Sequence, residues 1–216
     1  MLNNVDYIRQ QFVRKLQTGE FVIDKTGCKM IEIIGASFIA DEPAIFGTVN
    51  EDYVRRELNW YESQSLNVYD IEGETPAAWK AVCTPDGLIN SNYGYLIYSE
   101  DNHKQYENVL NELKQNPFSR RATMIYTRPS IWNEYNQDGM SDFICTNSVG
   151  YLIRDNKLHA HVVMRSNDTI FGYKNDRYWQ QYVQTKLANE LNVEVGDIFW
   201  CATSLHIYEK HFHLVK

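Results

Sequence analysis

The chain has 216 residues, 44% of them apolar and 13% aromatic, with 21 basic against 28 acidic side chains and a formal net charge of -7. A chain of this length buries roughly 70% of its unfolded surface, so one domain covering 1–216 is expected, and the acidic balance argues against a protein that coats nucleic acid by neutralising many phosphates. No stretch approaches the roughly 20 apolar residues of a membrane helix, and the opening "MLNNVDYIRQQFVRK" has no apolar leader core, so a cytoplasmic protein without a membrane partner is expected.

Ile8, Phe12 and Leu16 recur at helical spacing behind Asn3 and Asn4, both good caps, which predicts an amphipathic helix at the start. "KMIEIIGASFIAD" (29–41) is rich in β-branched residues and reads as a strand bounded by Gly27 and Asp41. "NEDYVRRELNWYES" (50–63) fits a second helix with Tyr53, Glu57, Leu58 and Tyr61 on one face, which puts Glu57 on an apolar stripe. Thr75 as a cap and Pro76 in the first turn predict a short helix over "TPAAWKAV", and "SEDNHKQYENVLNELKQ" (99–115) predicts a long one closed by Pro117. "ATMIYT", "DFICTNSVGYLI" and "LHAHVVMRS" then read as strands, the last two joined by "RDNK" as a hairpin. Trp179, Val183, Leu187 and Leu191 mark another helix, and the strand "DIFWCAT" follows. The class is α+β, a bent mixed sheet packed against helices.

Four cysteines, Cys28, Cys83, Cys145 and Cys201, are widely spaced and form no CxxC pair, so they are expected to be reduced thiols. Cys145 lies in "DFICTNS" with Asp142, Thr146 and Asn147 around it. A nucleophilic thiol needs a pKa below its usual value of about 8.5, and Arg120, Arg121 and Arg165 are candidates to lower it. The competing reading is a small buried hydrophobe, which the other three cysteines retain. Arg120 and Arg121 are adjacent, so on a strand they point to opposite faces; both reach one anion only if the chain bends or one serves a neighbouring subunit. A solvated basic corner is an equal alternative. Arg165 and Ser166 together suit a phosphate monoester. Asn175 and Asp176 precede "RYWQQYVQTKLANEL" and suit a helix cap. His159 and His161 share one side of a strand, and His206, His211 and His213 cluster near the end. No cysteine or carboxylate set completes a metal site with them, and no metal is assigned.

The segments "DKTGCKMIEIIGASFIADEP", "INSNYGYLIYSEDN", "NPFSRR", "GMSDFICTN", "MRSNDTIFGYKND" and "SLHIYEKHF" occur in order along nearly the whole chain. With them the chain resembles the thymidylate synthase family, most closely its bacteriophage branch, which hydroxymethylates deoxycytidylate. The resemblance implies a thymidylate synthase-like fold that dimerises through a sheet face, in a host cell's cytoplasm if the source is viral. It implies that Cys145 adds to C6 of the pyrimidine and that Glu57 organises proton transfers and water near the ring. Arg165 and Ser166 would hold the nucleotide phosphate, joined by Lys25 where synthases usually carry arginine. Arg120 and Arg121 would come from the partner subunit. Tyr93 would sit beside the nucleophile, and His206 and Tyr208 would hold the sugar hydroxyl. Trp79, Asp168 and Gly172 would line the folate site, with Asp168 also near the nucleotide. Thr146 stands where synthases have histidine.

At Asp176 the synthases have asparagine, whose amide matches the N3 donor and O4 acceptor of uracil. Cytosine with N3 protonated instead shows donors at both positions, which a carboxylate accepts. The implied reaction carries a one-carbon unit from 5,10-methylenetetrahydrofolate to C5 of dCMP, with water addition giving 5-hydroxymethyl-dCMP and tetrahydrofolate. The runners-up are a CMP or dUMP hydroxymethylase, a thymidylate synthase, and a catalytically silent nucleotide-binding protein.

Overall fold

The computed structural model describes residues 3–216. Asn4 starts helix α1 (Val5–Thr18) by accepting the Tyr7 N–H at 3.1 Å, and Gly19 ends it in the left-handed region at φ 73. Strand β1 (Val22–Ile23) and strand β2 (Lys29–Ile39) follow, paired antiparallel. Along β2 the burial alternation slips at Gly35, φ 66, so that Ile31 is buried before it and Ala36 and Phe38 after it. A positive φ inside a strand bends it.

Helix α2 (Glu51–Ser63) is capped by the Asn50 side chain and buries Val54, Glu57, Trp60 and Tyr61. The short α3 (Ala77–Lys80) has Pro76 at its N-cap without a side-chain bond, so Thr75 is not the expected cap. Helix α4 (Tyr93–Tyr98) has no counterpart among the predicted elements. Its side chains are buried nearly all round, which erases the amphipathic signature. Gly94 explains its position: a Cβ there would lie 1.8 Å from the Tyr61 carbonyl oxygen, so only glycine lets α4 come this close to α2. Helix α5 (Gln105–Gln115) begins six residues later than the sequence suggested, because His103 and Lys104 take positive φ.

Strand β3 (Thr123–Ile125), the short α6 (Ile131–Glu134) and strand β4 (Thr146–Arg154) come next. β4 starts at Thr146, not Asp142, so Cys145 sits in the bend just before the strand. β4 and strand β5 (Lys157–Asp168) flank Asp155 and Asn156, whose φ values of 50 and 60 fit the tight hairpin turn expected there. Helix α7 (Gly172–Leu191) and strand β6 (Glu194–Tyr208) complete the main elements, and β6 runs well beyond "DIFWCAT" at both ends.

The six strands form one mixed sheet in the order β1-β2-β6-β5-β4-β3, with β2 antiparallel and β5 parallel to β6. The chain divides into two compact units, one of residues up to Val49 with Tyr151–Lys216 and one of Asn50–Gly150. In the first, α7 packs on β5 and β6 through Trp179, Val183 and Leu187, all at most 1% exposed. Each such side chain contributes about 1.5–3 kcal/mol of burial. In the second, α4 packs on α2 and α5. No helix among the described residues is long and apolar enough to cross a membrane.

Candidate active site

In the 50–150 unit the chemistry gathers around Glu57. This residue is 5% exposed on α2. Tyr53, one turn earlier, donates its hydroxyl to Glu57 Oε1. The Trp79 indole N–H is shared between the same Oε1 at 3.1 Å and the Tyr53 oxygen at 3.2 Å. Burial pushes the Glu57 pKa above the ordinary carboxylate value, and the bonds from Tyr53 and Trp79 oppose that shift. Among the described residues nothing bonds Oε2. With Oε1 receiving donors, the proton of a neutral Glu57 belongs on Oε2. Tyr53 was not among the predicted site residues; its spacing of four from Glu57 was the signal available.

Cys145 is half-buried, and its Sγ lies 3.8 Å from the Phe143 carbonyl oxygen. The segment leading to it is fixed by Asp142, a buried carboxylate that accepts from Asn90 N–H at 2.7 Å, Ser91 N–H at 2.8 Å and Ser91 Oγ at 2.7 Å. Tyr93 is buried at the start of α4, stacked on Tyr61 at 5.3 Å and edge-on to Tyr126. Arg120 and Arg121 are both exposed, in the bend before β3. Arg121 forks onto Glu112 Oε1 at 2.9 and 3.1 Å, whereas Arg120 meets no hydrogen-bond partner among the described residues.

In the other unit the parallel register of β5 and β6 pairs Ser166 with Ser204 and Asp168 with His206, and β2 adds Glu32 opposite His206. Arg165 and Ser166 are half-buried near the end of β5. His206 is 7% exposed, with Nδ1 at 3.4 Å from Ser204 Oγ and its ring edge-on to Tyr208. Lys25 is exposed in the turn between β1 and β2. Asp24 holds that turn by accepting from Thr26 N–H, Thr26 Oγ1 and Cys28 N–H within 2.9 Å. Burial first, then the charges of Asp24 and Asp168, push the Tyr208 hydroxyl up.

Asp168 Oδ1 accepts the N–H groups of Ile170 at 2.9 Å, Phe171 at 2.6 Å and Gly172 at 3.4 Å, so it serves the start of α7. Asp176 therefore lies in the second turn of the helix. The capping role considered for it is not taken: Phe171 is at the N-cap without a side-chain bond, and Asp168 holds the turn just before the helix. Asp176 Oδ2 instead accepts from Asn167 Nδ2 at 2.8 Å. Gly172 faces this pair: a Cβ there would lie 3.2 Å from Asn167 Nδ2 and 3.7 Å from Asp176 Oδ2. Asn167 also escaped the sequence reading, although it stands inside the quoted "RSND" stretch.

His159 accepts the Asp197 N–H at 3.0 Å, a packing role. Among the described residues no group of three or more His, Cys, Asp or Glu is arranged to hold a metal ion.

The family model described as Thymidylate synthase matches residues 9–216. The chain is 56% identical to a protein of Enterobacteria phage T4 named Deoxycytidylate 5-hydroxymethyltransferase, across 98% of this chain and 89% of that protein. The protein of the same name from Enterobacteria phage T2 matches equally. A Thymidylate synthase of Fusobacterium nucleatum is 31% identical across 73% of this chain and 56% of its own length.

Proposed function

This chain belongs to the thymidylate synthase family, and from that premise we propose that it is a deoxycytidylate 5-hydroxymethyltransferase whose residues 1–216 act as one catalytic domain. The observation that carries the reading is the 56% identity, over 98% of the chain, to phage proteins bearing that name. The thymidylate synthase and uracil-nucleotide alternatives are not favoured, since the synthase matches fall to 31% identity and below.

Enzymes of this family bind a nucleotide and a folate, and methylenetetrahydrofolate supplies the one-carbon unit when bound. The exposed ring of Phe171, next to Gly172 and near Asp168 in sequence, supports a folate at the start of α7, because a flat ring stacks on an aromatic face. Trp79, Asp168 and Gly172 would hold it.

In the reaction Cys145 Sγ bonds to C6 of dCMP, and the electron pair of the C5–C6 double bond moves to C5, which becomes nucleophilic. Once C5 carries the new carbon, loss of the C5 proton and of the bond from that carbon to the departing tetrahydrofolate leaves an exocyclic methylene, to which water adds. Glu57 moves protons at Oε2, the oxygen that Tyr53 and Trp79 leave open; once it has given up its own proton, its carboxylate is the group to take the proton of the added water. Breaking the sulfur–C6 bond releases 5-hydroxymethyl-dCMP and returns the thiol. Arg165, Ser166 and Lys25 hold the phosphate, His206 and Tyr208 the sugar hydroxyl, and Tyr93 flanks the nucleophile. Asp176 reads the base.

The active form is a homodimer in which Arg120 and Arg121 reach the partner's phosphate. Their exposure supports this, as do Ile34 of β2 at 80% and Ile23 of β1 at 64% exposure, large apolar side chains that a second sheet would cover.

The test is to incubate the protein with methylenetetrahydrofolate and dCMP, CMP or dUMP separately and weigh the products. Hydroxymethylated dCMP as the dominant product is expected. Methylated dUMP would make it a synthase, and no turnover with any nucleotide would make it a silent binder.

A further inference from the structure

Asn167 stands on β5 at 2% exposure and donates from Nδ2 to Asp176 Oδ2 at 2.8 Å. Its Oδ1 has no hydrogen-bond partner among the described residues. Chemistry fixes the orientation of the amide, because turning it over would set an acceptor oxygen against the carboxylate. A buried acceptor left without a donor is costly, so an unfilled one beside a candidate base-reading group points to a donor that arrives with the ligand. Gly172 belongs to the same arrangement. It lets the first turn of α7 lie against the end of β5, where a Cβ would press on Asn167 Nδ2 at 3.2 Å.

Resting on the reading of this chain as a dCMP hydroxymethyltransferase, we propose that Asn167 is a specificity-determining residue: it aims the Asp176 carboxylate through Nδ2 and accepts an N–H of the cytosine through Oδ1. The donor count is the argument. Cytosine with N3 protonated has two N–H bonds on N4 and one on N3. The Asp176 carboxylate can meet the N3–H and the N4–H beside it together, whereas the second N4–H points away, toward the C5 side of the ring. The third goes to Asn167 Oδ1. Uracil offers one N–H, at N3, and its O4 acceptor would face a surface made of acceptors. Discrimination is thereby shared between two side chains that touch.

The experiment compares the parent with Asn167→Ala and the nearly isosteric Asn167→Leu, using dCMP, dUMP and N4-methyl-dCMP, with circular dichroism melts to establish that each variant is folded. In both variants kcat/KM for dCMP should fall tenfold or more while the weak activity on dUMP changes little, so the dCMP-to-dUMP ratio drops at least tenfold. The parent should discriminate against N4-methyl-dCMP, which lacks one N4 hydrogen, and Asn167→Ala, which lacks the acceptor and has more room, should discriminate less. Equal proportional losses for dCMP and dUMP would reduce Asn167 to packing and overturn the proposal, as would undiminished discrimination against the methylated nucleotide. The Leu variant carries the same test if the Ala variant fails to fold. A parent with no preference for dCMP sinks the functional reading itself, whereas a selective parent with equally selective variants sinks only the role of Asn167.

Discussion

Two carboxylates, one in each compact unit, are held in opposite ways. Glu57 is buried among neutral donors, and both Tyr53 and Trp79 reach the same oxygen, leaving the other open. Burial raises its pKa above the ordinary carboxylate value, against the opposing bonds from Tyr53 and Trp79, which shifts the balance toward the neutral acid. Asp176 is half-buried in the second turn of α7, and an amide that brings no charge bonds its Oδ2. On the proposed reading the same functional group serves proton transfer in one environment and base recognition in the other.

The comparison breaks most sharply at Glu57. Glu57→Gln keeps the shape and still accepts from Tyr53 and Trp79, but it carries no acid proton. General acid–base groups contribute roughly 10²–10⁴-fold, so kcat with dCMP should fall by that order while nucleotide binding changes only a few-fold. Steady-state kinetics with a direct dCMP titration would check this. A kcat within threefold of the parent would show that Glu57 holds structure and moves no proton.

Asp176→Asn tests the other half. An amide offers uracil both the donor and the acceptor it needs, and it leaves cytosine with one donor opposed by another. The dCMP-to-dUMP ratio of kcat/KM should shift toward uracil by roughly 10- to 100-fold, the scale set by one unpaired buried polar group. Competition between the two nucleotides in one tube reads the ratio directly. An unchanged ratio would remove Asp176 from recognition.

How far these environments were legible in the sequence differs between the two units. Periodicity gave α1, β2, α2 and α7 as elements, because each has one buried face. It also put Glu57 on an apolar stripe, and Glu57 is indeed buried. It failed at α4, which is buried nearly all round, and at the first turn of α7, where the helix begins at Gly172 and not after Asp176. The partners of the carboxylates were the harder part. Tyr53 is local, four residues from Glu57, whereas Asn167 meets Asp176 only because β5 runs into α7 through a glycine that admits close approach. Asp142 reaches 51 and 52 residues back, to Ser91 and Asn90. Contacts of that kind follow from the fold and have no periodic trace in the chain.

The smallest expected effect sharpens the comparison most, because it moves a proton affinity without removing the group. Tyr53→Phe deletes one of the two donors to Glu57 Oε1 and leaves the burial in place. Burial is the larger influence and raises the Glu57 pKa, while the Tyr53 bond lowers it, so its loss pushes the pKa further up. The limb of the pH–rate profile that Glu57→Gln abolishes should therefore move to higher pH, and kcat should fall about tenfold, the equivalent of one lost hydrogen bond. Stability must follow the same sign. A folded pKa raised above the ordinary value of 4.5 gives a contribution that is full below that value and is lost as pH rises through the folded pKa. In Tyr53→Phe that loss should be larger and extend to higher pH, which melting temperatures across the range would record. A limb that stays in place or moves down would mean that Tyr53 does not set the proton affinity of Glu57, and the contrast between the two carboxylates would then rest on burial alone.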